Sequence, residues 1–346
     1  IMVRKRKNLY LSAFLLCFLL LLAGCSNGND AAMTPKTEPE SESRPDEDDI
    51  VIGISQVGSE SDWRMMNTKA YMDTFTEEKG YYLIFEDGQQ KQENQVKALR
   101  KFILKGVDYI VLAPIVETGW DAVLKEAQDA GIPVIIVDRD VSVEDESLYI
   151  CRVGSDLMQE GRNAGEWLAD YLESRGRRNE KINIVTLQGT LGSTAQIGRT
   201  SGFAEVMKKH ANWNMLEYQS GDFTQAKAYE VMEYFLETYD DIDVVICEND
   251  NMAFGAIEAI KEAGLKLGKN GGIIMLSFDA VRDALLLVQK GEIMADFECN
   301  PIIAPLIEET IQKLERGEAV EKVQYIDETY FDYKMDIGTL LLDREY

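Results

Sequence analysis

Short apolar runs alternate with segments of helical period along most of the chain. The segment ENQVKALRKFILKG, for example, places its apolar residues on one face of a helix. Runs that are apolar throughout and rich in branched residues are typical of strands buried on both faces. The runs IVIGIS, YYLIFE, YIVLAP, IPVIIVD and LYICRVG are interpreted in this way. The alternation resumes with five further predicted strands, KINIVTLQG, WNMLEYQS, DVVICEND, GIIMLSFD and EIMADFE.

The repeated order of strand, helix and strand predicts parallel sheets that are covered by helices on both faces. Because the ten predicted strands form two successive groups of five, we predict an α/β fold with two doubly wound parallel-sheet lobes. A single (β/α) barrel is the alternative, but the predicted strands outnumber the eight that such a barrel contains.

The beginning of the chain does not share this pattern. Basic residues 4–7 precede an apolar run, Leu11–Leu22, which is shorter than the ~20 residues of a bilayer-spanning helix. Small residues and Cys25 follow it. This pattern predicts a lipoprotein signal peptide over residues 1–24 and a lipid on Cys25, and a plain signal peptide is the alternative. Residues 26–49 contain eight acidic residues, two basic residues and three prolines. We therefore predict a disordered acidic tether over residues 25–49.

Charge and residue counts exclude several classes of function. The formal net charge of −25 disfavours nucleic acid as a partner, because a strongly acidic protein repels phosphates. His210 is the only histidine, which excludes zinc sites built on two or three histidines and argues against Ser-His or Cys-His catalysis. Apart from Cys17 in the predicted signal peptide and Cys25, the cysteines are Cys151, Cys247 and Cys299, which have no metal-ligand spacing. We therefore expect no cofactor, no metal and no catalytic residue.

Charged, amide and aromatic side chains follow the predicted strands at their carboxyl ends. Ligands of open parallel sheets bind just beyond these ends, so we expect the side chains to converge. No nucleophile among them is paired with a base. They lie in the ESDWR stretch at Glu60–Arg64, in Asp138-Arg139, at Arg199, in Gly221-Asp222-Phe223, in Glu248-Asn249-Asp250 and at Asp279.

This set of residues suits a carbohydrate ligand. Each sugar hydroxyl both donates and accepts hydrogen bonds, so carboxylates accept from it while guanidinium groups donate to it. The apolar face of a sugar ring is buried against aromatic rings. We expect Trp63 from one lobe and Phe223 from the other to enclose the sugar ring.

Several of these residues also have interpretations unrelated to a ligand. Asp138 and Arg139 can form a local ion pair, and Trp63 can be a core residue on a helix face. Asn249 precedes a predicted helix, where asparagine is a common N-cap. The GTLGS stretch lacks the lysine and the spacing of a phosphate-binding loop, so a tight turn is the better interpretation.

Residues 51–301 resemble type I periplasmic binding proteins of the ribose and galactofuranose class, the ligand-capturing components of ABC sugar importers. Several segments carry the resemblance in the same order along the chain. They are SQVGSESDWR, DGQQKQENQVKA, APIVETGW, VLKEAQDAGIPV, LQGTLGS, SGDFTQAK and ENDNMAFGAIEAIKEAGLK.

The resemblance implies a sugar site and a hinge. The implied hinge consists of three segments that cross between the lobes, near Cys151–Ser155, Glu298–Pro301 and Tyr325–Glu328. The first lobe then comprises residues 50–152 and 300–326, and the second comprises residues 153–299 and 327–346. The implied sugar contacts are Glu60, Ser61, Asp62, Trp63, Arg64, Asp138, Arg139, Arg199, Asn249 and Asp279, with Phe223 and Asn300 as looser matches.

The resemblance also implies a function. The protein would be a lipoprotein on the outer face of the cell membrane that delivers a monosaccharide, such as galactofuranose or another hexose or pentose, to an ABC transporter permease by lobe closure. We further expect a monomer. Delivery to a membrane sensor kinase, a furanosidase that uses Glu60 with Asp138 or Asp279, and the effector domain of a repressor are alternatives. Cys151 and Cys299 both fall at implied crossings, where an oxidised pair would stiffen the hinge.

Overall fold

The computed structural model of the protein describes residue 46, residues 48–342 and residues 344–346. The predicted signal peptide over residues 1–24, the lipid-bearing Cys25 and nearly all of the predicted tether lie outside the described residues. Within the described part of the chain, no helix combines the length and the apolar character needed to cross a bilayer.

Strands and helices alternate through most of the described chain. The strands are β1 (Ile50–Gln56), β2 (Tyr81–Asp87), β3 (Tyr109–Leu112), β4 (Val134–Val137), β5 (Cys151–Gly154), β6 (Ile182–Gln188), β7 (Trp213–Ser220), β8 (Val244–Cys247), β9 (Ile274–Asp279), β10 (Ala295–Glu298), β11 (Val323–Tyr325) and β12 (Tyr330–Asp332). The α-helices are α1 (Asp62–Thr74), α2 (Gln92–Lys105), α3 (Asp121–Asp129), α4 (Leu157–Ser174), α5 (Thr194–Met207), α6 (Gln225–Thr238), α7 (Asp250–Glu262), α8 (Arg282–Lys290), α9 (Ala304–Glu315) and α10 (Ile337–Leu340).

These strands form two six-stranded sheets. The first has the order β11-β5-β4-β3-β1-β2, and the second has the order β12-β10-β9-β8-β6-β7. Neighbouring strands are parallel, except that β12 runs antiparallel to β10. Two open, parallel-rich sheets confirm the predicted fold class, and the alternative of a single barrel is wrong.

All ten predicted strands are present, and the structure adds β11 and β12. Each of these two is a three-residue strand at one edge of a sheet. In β11 two residues are exposed and one is partly buried, whereas β12 buries Phe331 and Asp332 and exposes Tyr330. Three residues are too few to leave an apolar run in the sequence, which explains why the sequence pattern did not predict these strands.

The chain passes between the sheets after β5, after β10 and between β11 and β12. We call the first sheet with α1–α3 and α9 the first lobe, and the second sheet with α4–α8 and α10 the second lobe. One apolar cluster fills the first lobe, and two clusters cover the two faces of the second sheet. Trp63 belongs to α1 but packs with a cluster of the second lobe, so the lobes share part of their core.

Both sheets reverse their strand order at corresponding places, between β1 and β3 in the first and between β6 and β8 in the second. Loops beyond the carboxyl ends of such strands diverge, which leaves a crevice. The ESDWR stretch follows β1, and α5 follows β6. The topology therefore directs residues from both lobes to one region.

Candidate functional site

A cavity lies between the carboxyl ends of the two sheets. The space between protein atoms there, including adjoining open solvent, is about 300 Å³. Ten of the twelve sugar contacts implied by the sequence line it. The lining residues are Glu60, Ser61, Trp63, Arg64, Asp138, Arg139, Ala195, Arg199, Phe223, Asn249, Asp279 and Cys299.

Asp62 and Asn300 do not line this cavity, because both are engaged elsewhere. The backbone N–H of Asp62 donates to Oδ1 of Asn251 at 3.1 Å, and Nδ2 of Asn251 donates back to Oδ2 of Asp62 at 3.2 Å. Oδ1 of Asn300 accepts from the backbone N–H of Ile302 at 2.9 Å. Asp62 therefore joins the first lobe to the second at the exposed rim of the cleft, and Asn300 stabilises a crossing segment.

Arg64 is the centre of the polar network in the first lobe. Its Nε donates to Oε1 of Glu60 at 3.0 Å, and its Nη2 lies 2.8 Å from Oδ2 of Asp138. Its Nη1 donates to Oε1 of Gln56 at 3.1 Å. Burial opposes ionisation, but the negative charges of Asp138 and Glu60 raise the pKa of Arg64 overall. Arg64 therefore stays charged and holds both carboxylates at the cavity wall.

Two buried polar atoms next to this network have no hydrogen-bond partner among the described residues: Oε2 of Glu60 and Nε of Arg139. Arg139 is anchored by its Nη1, which donates to the carbonyl of Ile115 at 2.8 Å. Burial and then the nearby charge of Arg64 lower the pKa of Arg139. A buried acceptor and a buried donor without partners are rare in folded proteins, and each is costly. They indicate a site that binds a polar ligand.

Arg199 has the corresponding role in the second lobe. Its Nε donates to Oε2 of Glu160 at 2.7 Å, and its Nη2 lies 3.3 Å from Oδ1 of Asp279. Its Nη1 donates to the backbone carbonyl of Glu248. Burial raises the pKa of Glu160 and that of Asp279, and the positive charge of Arg199 opposes both shifts.

Close packing of α4 against α5 places Arg199 beside Glu160. A Cβ added at Gly161 of α4 would lie 2.3 Å from the carbonyl oxygen of Arg199, and one added at Gly202 of α5 would lie 2.1 Å from that of Met158. Both distances are far below contact, so only glycine permits this approach. A larger residue at either position would separate the helices and move the guanidinium group.

The two aromatic rings of the predicted enclosure, Trp63 and Phe223, both line the cavity. The guanidinium carbon of Arg64 lies 4.7 Å from the centroid of the Trp63 ring, and that of Arg139 lies 5.3 Å from the centroid of the Phe223 ring. Nε1 of Trp63 donates to the carbonyl of Cys299 at 2.6 Å, which fixes the indole at a crossing segment. Each ring thus lies beside a buried cation at the cavity wall.

Ser61 and Asn249 line the cavity and also cap helices. The Ser61 hydroxyl accepts from the backbone N–H of Arg64 at 3.1 Å, at the start of α1. Oδ1 of Asn249 accepts from the N–H of Met252 at 2.9 Å at the start of α7, as the alternative interpretation of this residue expected. Its Nδ2 donates to the carbonyl of Phe223. Capping fixes both side chains at the cavity wall.

Sequence reasoning missed residues that complete the site. Cys299 comes directly after β10 and Ala195 lies in the first turn of α5, so the strand-end rule could have found both. Glu160 lies one turn inside α4, and no sequence signal distinguishes it from a surface glutamate. Only its contact with Arg199 shows that it supports the site.

The crossing segments meet at Glu328, whose Oε1 accepts from the Ser155 hydroxyl and from the backbone N–H of Asn300, both at 2.6 Å. Glu160, Cys299 and Glu328 each bring one potential metal-ligand atom within 4.8 Å of the others. Since Glu160 already pairs with Arg199 and Glu328 already accepts two hydrogen bonds, these groups serve the hinge rather than an ion. We assign no metal or cofactor to them.

Cys151 and Cys299 do not form the oxidised pair considered from the sequence, because both are buried free thiols. The Cys151 sulfur lies 3.5 Å from Nε2 of Gln324, in the first lobe. The Cys299 sulfur lies 3.3 Å from the hydroxyl of Ser155. Each thiol therefore has its own polar neighbour at a different place.

Glu248 gives the protein a testable pH dependence. Its carboxylate accepts from the N–H of Gly189 and from the hydroxyl of Thr200, but burial raises the pKa of Glu248 to about 8. The unfolded chain releases this proton near pH 4.3. The folded state therefore binds more protons between these values, and its stability falls as pH rises from about 4.3 through about 8.

We expect Glu248→Gln to reduce this slope by up to about 1.4 kcal/mol per pH unit, because glutamine cannot release a proton. Urea unfolding at pH 5, 6, 7 and 8 measures the slope. Glu328 and Asp296, whose pKa values burial also raises to about 8, keep part of the slope in the variant. Glu230→Gln, on the exposed side of α6, is the control. Equal slopes for Glu248→Gln and the wild type would contradict the prediction.

Comparisons with known proteins place the chain in one family. Residues 52–298 match the family described as periplasmic binding protein domain. The chain is 43% identical over 286 residues to the galactofuranose-binding protein YtfQ of Escherichia coli strain K12, which covers 82% of this chain and 87% of that protein.

Two solved structures are similar to this chain over most of its length. One is a Mycobacterium smegmatis protein in complex with β-D-fucofuranose, with a TM-score of 0.81 and 40% identity over 86% of this chain and 95% of that one. The other is the periplasmic binding protein component of the arabinose ABC transporter from Shewanella sp. ANA-3, bound to α- and β-L-arabinofuranose. Its TM-score is 0.79, with 41% identity over 85% of this chain and 95% of that one.

Proposed function

Because the chain belongs to the periplasmic binding protein family, we propose that it captures a monosaccharide in its five-membered furanose ring form outside the cytoplasm. The bound sugar is then delivered to the permease of an ABC importer. The relatives named above bind galactofuranose, fucofuranose and arabinofuranose, so the ligand class is a furanose of a hexose or a pentose.

The observation that carries this proposal is the arrangement of the cavity wall. Glu60, Asp138 and Asp279 supply acceptors, and Arg64, Arg139 and Arg199 supply donors. Each of these six side chains is at most 6% exposed. Donor and acceptor groups of both kinds around one cavity suit a ligand with several hydroxyl groups. The two aromatic side chains supply surfaces for the apolar faces of the ring.

Capture works by closure of the two lobes over the sugar. The cavity draws residues from both lobes, so a bound sugar contacts both and its binding free energy favours the closed arrangement. Contacts across the cleft support closure: the N–H of Glu117 donates to the carbonyl of Gly192 at 3.0 Å, and the N–H of Asp140 donates to Oγ1 of Thr194 at 2.7 Å. The three crossing segments act as the hinge.

The remaining parts of the proposal concern the partners. A lipid on Cys25 anchors the protein to the outer face of the cell membrane, and the acidic tether keeps the lobes away from the lipid surface. The protein acts as a monomer, with no nucleic acid and no cofactor.

Calorimetric titration with equilibrated D-galactose, D-fucose and L-arabinose, whose solutions contain both ring forms, tests the proposal. We expect saturable binding of at least one sugar and no binding of methyl β-D-galactopyranoside, which cannot adopt the furanose form. Small-angle scattering should show a more compact protein at saturation. Absence of binding by all three sugars, or tight binding of the locked pyranoside, would overturn the furanose assignment.

A further inference from the structure

The turn that carries Asp279 into the cavity has an unusual backbone. Asp279 ends β9 with φ of 107°, and Ala280 follows with φ of 60°. Neither is glycine, and side chains disfavour positive φ, so two such residues in succession make a strained turn. Such strain persists only where the surroundings over-determine the conformation.

Side chains outside the cavity hold the turn in this conformation by forming hydrogen bonds with its backbone. The N–H of Ala280 donates to Oδ1 of Asp296 at 3.2 Å, and the N–H of Val281 donates to Oδ2 of Asp250 at 2.8 Å. Both carboxyl groups are fully buried. Because α8 begins without a side-chain N-cap, Asp250 also satisfies a backbone N–H that the helix leaves free.

The carbonyl of Ala280 is bound by Arg344, near the end of the chain. Nε of Arg344 donates to this oxygen at 2.9 Å, and its Nη2 donates at 2.6 Å. Its Nη1 donates to Oε1 of Glu298 at 2.8 Å, so the same guanidinium reaches the end of β10. The rings of Phe331 and Tyr346 lie 4.9 Å and 4.0 Å from its central carbon. The guanidinium group is thus fixed by contacts on several sides.

We propose that Arg344, together with Asp250 and Asp296, is a positioning residue for ligand binding: it holds the strained Asp279–Ala280 turn, and through it fixes the Asp279 carboxylate in the cavity. Arg344 does not line the cavity, so it acts through the turn and not by contact with the ligand. The inference rests on the proposed sugar binding. It adds a determinant of affinity that lies sixty-five residues along the chain from the residue it positions.

Arg344→Met tests the proposal, because methionine keeps an apolar stem but removes every donor. The titrant is whichever of equilibrated D-galactose, D-fucose and L-arabinose the wild type binds. We expect affinity to fall about tenfold, as for the loss of a charged hydrogen bond. Ala280→Gly in the same chain should restore most of it, since glycine adopts positive φ without strain. A purely structural role of Arg344 would not predict this rescue.

Arg282→Met is the matched control. Arg282 begins α8 beside the same turn and donates to the carbonyl of Leu341, but it does not bind the turn. We expect the sugar affinity of Arg282→Met to equal that of the wild type. Equal affinity of Arg344→Met and the wild type, or a loss that Ala280→Gly does not repair, would overturn the inference.

Hydrogen exchange of the Ala280 and Val281 amides separates this inference from the proposed function. We expect both amides to exchange faster in Arg344→Met than in the wild type and in Arg282→Met. If the wild type binds no sugar, the proposed function fails, and the exchange rates still decide whether Arg344 holds the turn. Unchanged exchange would overturn that role.

Discussion

Replacing Arg199 with methionine is expected to abolish sugar binding and to lower the free energy of unfolding by about 3–5 kcal/mol. Methionine fills much of the same volume but removes the cation that pairs with Glu160 and Asp279. Two carboxyl groups then remain buried without a counter-charge. A loss of 3 kcal/mol in binding alone corresponds to a more than hundredfold higher Kd.

Urea unfolding and calorimetric titration with D-galactose at pH 5 and pH 7.5 measure both effects. The stability deficit should be smaller at pH 5, because protonated carboxyl groups need no counter-charge and burial already raises their pKa. Arg177→Met is the control: Arg177 also pairs with two acidic residues, Glu180 and Asp243, but its side chain is 31% exposed. We expect it to lose less than about 1 kcal/mol and no sugar affinity. A similar loss in the two variants would contradict the assigned role of Arg199.

Trp63→Ala is expected to lower the free energy of unfolding by about 3–5 kcal/mol and to weaken sugar binding strongly. The indole is 5% exposed, packs with the core of the second lobe and lines the cavity. Its removal leaves a void between the lobes and deprives the sugar of one aromatic surface. Thermal unfolding and calorimetric titration measure the two losses.

Trp63→Phe separates the aromatic surface from the indole N–H. Phenylalanine keeps a ring but cannot donate to the carbonyl of Cys299, so we expect a loss of about 1 kcal/mol in stability and most of the affinity retained. Trp213→Ala is the matched control, because Trp213 is also buried but stacks on Phe203 and His210 away from the cavity. It should lose stability without losing sugar affinity. Unchanged sugar affinity in Trp63→Ala would show that the indole is not part of the site.

Much of the fold was readable from the sequence because strands buried on both faces leave continuous apolar runs. YIVLAP and DVVICEND are runs of this kind, and each contains a strand of a parallel sheet. The edge strands β11 and β12 gave no such signal. Each is three residues long and has a partner on one side only, so the pairing depends on where the crossing segments lie.

The site was predictable to the extent that strand ends determine it. Asp138 follows β4 directly, Asn249 lies two residues beyond β8, and Asp279 is the last residue of β9. The topology brings all three to one cavity. Glu160 was not predictable, because its function depends on the close packing of two helices. The structure also leaves Asp62 and Asn300 outside the cavity. The backbone N–H of Asp62 binds Asn251 at the start of α1, and the side chain of Asn300 binds the backbone N–H of Ile302. Neither contact produces a pattern that is visible in the sequence.

The hydrogen bonds that join the rims of the cleft also stabilise the closed lobes when no sugar is bound. These hydrogen bonds join Asp62 to Asn251, Glu117 to Gly192 and Asp140 to Thr194. Because they contain only protein atoms, they favour the closed arrangement of the lobes equally with and without a bound sugar. Under the proposed function, stronger rim bonds would improve retention of a scarce sugar, but they would also increase the fraction of sugar-free protein in the closed form that the permease is proposed to recognise. The strength of the rim hydrogen bonds would therefore be a compromise between tight sugar binding at low sugar concentration and unproductive binding of the sugar-free protein to the permease.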